Sequence, residues 1–127
     1  GTMMAGIVNS SSPEQKIIGI PVLKTKDTIE NEITHFLHAQ CNKSNYELLY
    51  DFHFGGYAKT PPELITFMND FYKKQLVPTD QVYTAKLLRA VYELAKDCWF
   101  PAGSRLLVVH SGGLQGNRSL PSGTLMF

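Results

Sequence analysis

The run Arg105-Leu106-Leu107-Val108-Val109-His110-Ser111-Gly112-Gly113 constrains this chain more than any other stretch. Its four aliphatic residues, two of them β-branched, fit a strand buried on both faces, as in a parallel sheet. A small polar residue and a Gly-Gly pair follow at once. Glycines at such a point let the backbone turn sharply and come close to a ligand. Ligands of open α/β sheets lie outside the carboxyl ends of the strands. Ser111, Gly112 and Gly113 are therefore the first candidate site residues.

With 127 residues the chain has the length of about one domain, and 43% hydrophobic residues suit a globular core. Twelve Lys and Arg against eleven Asp and Glu leave a net charge of +1, which gives no reason to expect a nucleic acid or an anionic membrane as partner. No apolar run approaches the roughly 18 residues of a membrane span, and no signal-peptide pattern is present. A cytoplasmic protein is the expectation. Cys41 and Cys98 lack C-x-x-C spacing and are expected as reduced core thiols. The four histidines show no i,i+4 pairing, so no zinc site is expected. No Gly-x-Ser-x-Gly elbow supports a hydrolase.

The order of elements points to an α/β fold, a mostly parallel sheet covered by helices. Residues 3–12 predict a short helix closed by Pro13. Residues 16–23 read as a buried strand, with Pro21 near its end because proline lacks a ladder donor. Asp27 and Glu30 resemble a capping box for a helix over 28–40, which would turn Ile29, Ile33, Phe36 and Leu37 inward. Residues 41–45 form a polar connector, and Tyr46 to Phe54 a strand or extended segment. Thr60-Pro61-Pro62-Glu63 is a helix start in which Thr60 caps and Pro61 takes the first helical position. That helix runs to about Lys74 and packs Leu64, Met68 and Phe71 inward. A further helix over 81–97 repeats Leu87, Leu88, Val91, Leu94, Ala95 and Cys98 at intervals of three and four. The tail from Leu114 is expected to be irregular.

Glycine junctions recur at 1–6, 55–56 and 112–113, and three parallel strands would bring them to one edge and one cleft. Gly1-Thr2-Met3-Met4-Ala5-Gly6, a loop opening a helix, would present unpaired N–H groups and the positive end of a helix dipole, which suits a phosphate. It spells neither a Walker loop nor G-x-G-x-x-G. Tyr57 and Tyr83 flank helix starts and are candidates for acid–base or stacking work, against the plainer reading of packed rings. His110 reads as a hydrogen-bonded core residue, and Lys59 and Lys86 as surface or structural lysines. Spacing alone reaches an α/β protein that binds a phosphorylated small molecule.

Three segments in one order go further. Gly1-Thr2-Met3-Met4-Ala5-Gly6, Asp80-Gln81-Val82-Tyr83-Thr84-Ala85-Lys86 and His110-Ser111-Gly112-Gly113 together resemble the pyridoxal-phosphate enzymes related to 1-aminocyclopropane-1-carboxylate deaminase and D-cysteine desulfhydrase. Phe54 to Tyr57 is similar to that family's tyrosine-bearing loop. The resemblance implies fold type II (tryptophan synthase beta-like), with residues 1–127 as the C-terminal portion of a pyridoxal-phosphate-binding α/β domain. The family's Schiff-base lysine would lie in the missing N-terminal half, and this chain alone would be inactive. A homodimer and a small amino-acid substrate are likewise implied. By position, the amides of Gly1, Thr2 and Met3 would hold the cofactor phosphate. Thr84 would lie near the pyridine nitrogen, Ser111 and Gly112 beside the ring, and Tyr83 and Tyr57 toward the substrate as the catalytic pair.

Position 84 carries the chemical argument. A carboxylate near the pyridine nitrogen favours its protonated form and makes the ring a stronger electron sink, whereas a threonine hydroxyl only hydrogen-bonds. The family's ring-opening deaminases carry Glu after the tyrosine and an apolar residue before Gly-Gly. Thr84 and Ser111 resemble the desulfhydrase pattern instead. D-cysteine desulfhydration by β-elimination, giving sulfide, ammonia and pyruvate, is therefore expected ahead of cyclopropane opening. The rival from another class is a non-catalytic α/β module that binds a phosphorylated metabolite.

Overall fold

The computed structural model describes residues 1–38 and 45–127, and divides the chain into two compact units, Gly1–His53 and Phe54–Phe127. Among the described residues no helix is long and apolar enough to cross a membrane.

The first unit holds α1 (Thr2–Ser10), β1 (Ile17–Gly19), α2 (Lys26–Phe36) and β2 (Tyr46–Leu48). β1 and β2 pair in parallel with Ile17 opposite Tyr46 and Gly19 opposite Leu48, so β1-α2-β2 is a small parallel crossover unit. The ladder stops before Pro21, which cannot donate to it. Ala5, Ile29 and Ile33 form the core, with Met4, Leu37, Tyr46, Leu48 and Tyr50 packed around them.

Helix α2 follows its expected face only in part. Ile29 and Ile33 are buried, but Phe36 is exposed and turns its ring edge toward His35. The helix ends at Phe36 because Leu37 is extended. Asn9 completes this end: its Nδ2 donates to the Phe36 carbonyl at 2.9 Å, and its Oδ1 accepts the His38 N–H at 3.0 Å. Asp27 lies inside the first turn, where a carboxylate suits the helix dipole, and Thr25 caps without a side-chain bond. The connector's Cys41 lies outside the described residues.

The second unit contains α3 (Pro62–Gln75), α4 (Thr84–Lys96) and a 3-10 helix over Leu114–Ser119. Leu64, Met68 and Ala85 are its buried centre, closed by Phe54, Ile65, Phe67, Leu125 and Phe127. The cap of α3 is Pro61, one residue later than expected, and Thr60 uses its hydroxyl on Gln81 Oε1 instead. Phe71 is half-buried and stacks along α3 against Phe67, with ring centroids 5.8 Å apart. The tail is more ordered than its composition suggests. Asn69 donates to the Thr124 carbonyl and accepts the Met126 N–H, while the Phe127 ring lies 4.7 Å from that of Tyr72.

Two expectations fail in this unit. Residues 105–109 pair with no strand among the described residues, and Leu106, Leu107 and Val109 stand 49%, 90% and 39% exposed. An aliphatic run becomes a buried strand only where neighbours supply ladder partners and cover, so among the described residues the sheet has two strands and the expected third parallel strand is not formed. In α4 the fully buried positions are Thr84, Ala85, Lys86 and Ala90, whereas Leu87, Leu88, Val91 and Leu94 are half-buried. Ala95 and Cys98 are exposed, so Cys98 is a surface thiol and not a core one.

Ile33 is fully buried at the centre of the first unit. Ile33→Ala is expected to cost about 2–4 kcal/mol through lost burial and a cavity, read as a lowered denaturant midpoint with the slope unchanged.

Candidate functional site

In the second unit, the segment around Asp80 is built outward from one carboxylate. Asp80 is 1% exposed. Its Oδ1 accepts the N–H groups of Val82 and Tyr83, and its Oδ2 that of Thr84, each at 2.8 Å. Tyr83 is the N-cap and Thr84 the first residue of α4, so their N–H groups lack intrahelical partners, and a carboxylate is favoured there by the helix dipole. The Thr84 hydroxyl returns the interaction by accepting the Asp80 N–H at 2.8 Å. The backbone on both sides of Tyr83 is thereby fixed.

The glycine segment rests on the same carboxylate. Gly112 and Gly113 have φ of 86° and 90°, a region that favours glycine. A Cβ on Gly113 would meet the Asp80 carboxylate at 3.3 Å, so the missing side chain also permits the close approach. His110 sets the segment's entry: its Nε2 lies 2.9 Å from the Pro78 carbonyl, and its Nδ1 accepts the Gly112 N–H at 3.2 Å. The second bond requires an unprotonated Nδ1, leaving Nε2 as the donor. His110 is hydrogen-bonded as expected but exposed, and not a core residue.

Gln81 and Asn117, neither of them a candidate from the sequence, tie the α4 start to the 3-10 helix. Gln81 Nε2 donates to the Gly116 carbonyl and to Ser119 Oγ, and its backbone N–H donates to Asn117 Oδ1. Asn117 Nδ2 in turn donates to the Thr79 carbonyl. Gln81 and Asp80 are both buried, but amides and carboxylates are so common on surfaces that an adjacent Asp-Gln pair carries no sequence signal of this.

Tyr57 and Tyr83 are brought together. Their rings meet edge to face with centroids 6.2 Å apart. The Tyr83 phenol is held above its usual range first by burial, then by a hydrogen bond with Tyr57 and by the nearby Asp80 charge. Both rings remain about half exposed, so a ligand can reach them. Thr84 is buried one residue beyond Tyr83, Gly112 is half-buried and Ser111 is exposed. Tyr83, Thr84, Tyr57, Ser111 and Gly112 all lie in this unit.

Gly1, Thr2 and Met3 belong to the first unit. Gly1 caps α1 and, having no side chain, makes no side-chain cap bond, while Glu32 Oε2 of α2 lies 3.5 Å from its nitrogen. Glu32 of α2 comes so near that a Cβ on Gly1 would sit 2.6 Å from Glu32 Cβ.

Two outcomes follow. Asp80→Ala removes the acceptor of three amides and should cost about 2–4 kcal/mol in urea unfolding, while Asp80→Asn, which keeps one acceptor oxygen, should cost less. Tyr57→Phe should lower the Tyr83 titration midpoint without returning it to 10.0, because burial, the leading cause, persists. A phenol pKa raised by folding stabilises the fold below the unfolded pKa, and that contribution is lost as pH rises through the folded value. Tyr57→Phe should therefore soften the loss of stability above pH 10, as followed by alkaline unfolding.

No family model matches the chain. Over 109 residues it is 31% identical to a protein of Pyrococcus furiosus named "Putative 1-aminocyclopropane-1-carboxylate deaminase", an alignment covering 81% of the chain and 32% of that protein. A protein of Pyrococcus abyssi with the same name is 30% identical over 118 residues, covering 88% of the chain and 34% of the relative. The chain belongs to the family of these 1-aminocyclopropane-1-carboxylate deaminase-like proteins and spans about a third of their length.

Proposed function

We propose that the chain forms part of the cofactor and substrate site of a pyridoxal-phosphate-dependent lyase of fold type II that acts on a small amino acid. The observation that carries this reading is the Tyr57–Tyr83 pair set beside the hydroxyl-bearing start of α4. The relatives' names point the same way.

The donor set fits the cofactor. Asp80 has both oxygens engaged by backbone N–H groups, so the polar group offered at position 84 is the neutral Thr84 hydroxyl. That hydroxyl accepts the Asp80 N–H and keeps its own proton to donate, which suits the lone pair of a pyridine nitrogen. Gly112 and the exposed Ser111 would line the ring. Taken by itself, the first unit offers the start of α1, where the family resemblance would have the amides of Gly1, Thr2 and Met3 hold a phosphate, with Glu32 Oε2 3.5 Å from the Gly1 nitrogen. When bound, pyridoxal phosphate supplies an electron sink for charge developing at the amino-acid α-carbon. Tyr83 Oη, kept protonated by burial and by Tyr57, would hold or deliver a proton at the substrate, with Tyr57 Oη as its hydrogen-bond partner.

Within this class we favour β-elimination from D-cysteine. A neutral hydroxyl at position 84 leaves the ring a milder sink, which is sufficient for loss of an α-proton followed by departure of a thiol. The second reading, ring opening of the cyclopropane amino acid, is favoured by the names of both Pyrococcus relatives.

In the full polypeptide, added pyridoxal phosphate should produce a visible absorption band that borohydride removes. A spectrum equal to the sum of free components would leave a binding module without catalysis. Sulfide release from D-cysteine should exceed 2-oxobutanoate formation from 1-aminocyclopropane-1-carboxylate, and the reverse order would overturn the substrate reading. Thr84→Glu should reduce desulfhydration by roughly tenfold or more. Unchanged turnover in the folded variant would remove Thr84 from the ring nitrogen.

A further inference from the structure

We propose that Lys86 is a positioning residue for the tyrosine pair, its side-chain nitrogen tied to the Gly56 carbonyl so that the 54–58 loop holds Tyr57 against Tyr83. The proposal rests on the functional reading above for its link to turnover, and on geometry alone for its structural content.

Lys86 is 0% exposed and is the largest fully buried side chain of the chain's described residues. Lysine is almost never buried without polar partners, and Lys86 Nζ donates to the Gly56 carbonyl at 2.7 Å. The attraction of the Asp80 carboxylate supports the ammonium form, while burial, the larger influence, lowers its pKa. A methionine would fill similar space without that desolvation, so packing gives no reason for a lysine here.

The loop that Lys86 grips is strained. Phe54, Gly55, Gly56 and Ala58 have φ of 51°, 90°, 116° and 52°. Two of these four are not glycine, and such residues persist in the left-handed region only where their surroundings hold them. Phe54 is held at one end by the Leu64, Met68 and Ala85 core. At the other end the Lys59 N–H reaches the same Gly56 carbonyl, at a longer 3.2 Å. Lys86 thus secures the middle of the loop, one residue before Tyr57.

Helix geometry completes the arrangement. Tyr83 and Lys86 are three residues apart, so they lie on neighbouring positions of one face at the start of α4. The Tyr83 backbone is fixed by Asp80, and Lys86 fixes the loop that carries Tyr57. One helical turn therefore sets the position of both phenols, which fall out of register if the tie is cut.

The test reads Tyr83 directly, in the full polypeptide without added cofactor. Its titration is followed by NMR of ring-labelled tyrosine, assigned with Tyr83→Phe. Lys86→Met should fold and lower the Tyr83 midpoint to the value found for Tyr57→Phe, and the double variant should fall no further. Lys86→Arg, which keeps a charged donor, should retain most of the parent shift. With cofactor and substrate, Lys86→Met should lower kcat roughly tenfold or more with KM little changed, as expected for a misplaced proton-handling group, and Lys86→Arg should recover part of the loss.

A folded Lys86→Met with the parent Tyr83 midpoint would overturn the proposal, as would a double variant that falls below Tyr57→Phe. If the methionine variant does not fold, Lys86→Leu decides, since it keeps an apolar side chain at this position and offers no donor. A midpoint lowered as in Tyr57→Phe supports the tie, and the parent midpoint refutes it. A parent protein that binds no pyridoxal phosphate yet shows this Tyr83 behaviour would sink the functional reading and leave the positioning role standing.

Discussion

The second unit depends on the burial of the Asp80 carboxylate at the start of α4. An ionised group taken from water is costly unless it is hydrogen-bonded and faces compensating charge. Here three backbone N–H groups, the helix dipole and the Lys86 ammonium supply that compensation. The arrangement has a geometric result as well. Once both carboxylate oxygens are committed, the backbone of residues 80–84 has one shape, Gly113 has a surface to rest on, and Gln81 is aimed at the 3-10 helix. Asp80, which the sequence shows only as the first residue of the Asp80–Lys86 segment, is thus a structural centre.

On the proposed function, fixing the carboxylate in this way would leave hydroxyls as the groups for a ligand: the phenols of Tyr57 and Tyr83, the buried Thr84 and the exposed Ser111. Neutral groups of this kind hold and pass protons without imposing a fixed charge on the partner. They suit a partner that brings its own electron-withdrawing chemistry, and would be a poor set for hydrolysis by the protein alone.

Much of this was legible in the residues, for reasons that differ from place to place. Helices α1 and α3 were readable because their boundaries are marked locally, by glycine and serines at one and by Pro61-Pro62 at the other. Ile29 and Ile33 were readable because four-residue spacing on a polar helix leaves few alternatives. The meeting of Tyr57 and Tyr83 was legible only through the resemblance, since periodicity carries no information on which loops approach. The complete burial of Lys86 is hidden in the sequence because lysine is a residue type expected at the surface. The 105–109 run misled most: an aliphatic stretch reports a preference for cover, and cover is a property of neighbours.

That last segment has a consequence for how the polypeptide behaves in solution. Leu106, Leu107 and Val109 project from backbone that belongs to no ladder. Backbone outside any ladder among the described residues, beside β-branched and leucine side chains, is a template onto which another strand can pair. Arg105 at one end and His110 at the other flank the run, but Leu106 to Val109 carries no charge to repel such pairing. The same residues that favour a sheet interior are therefore the ones on which such pairing would act.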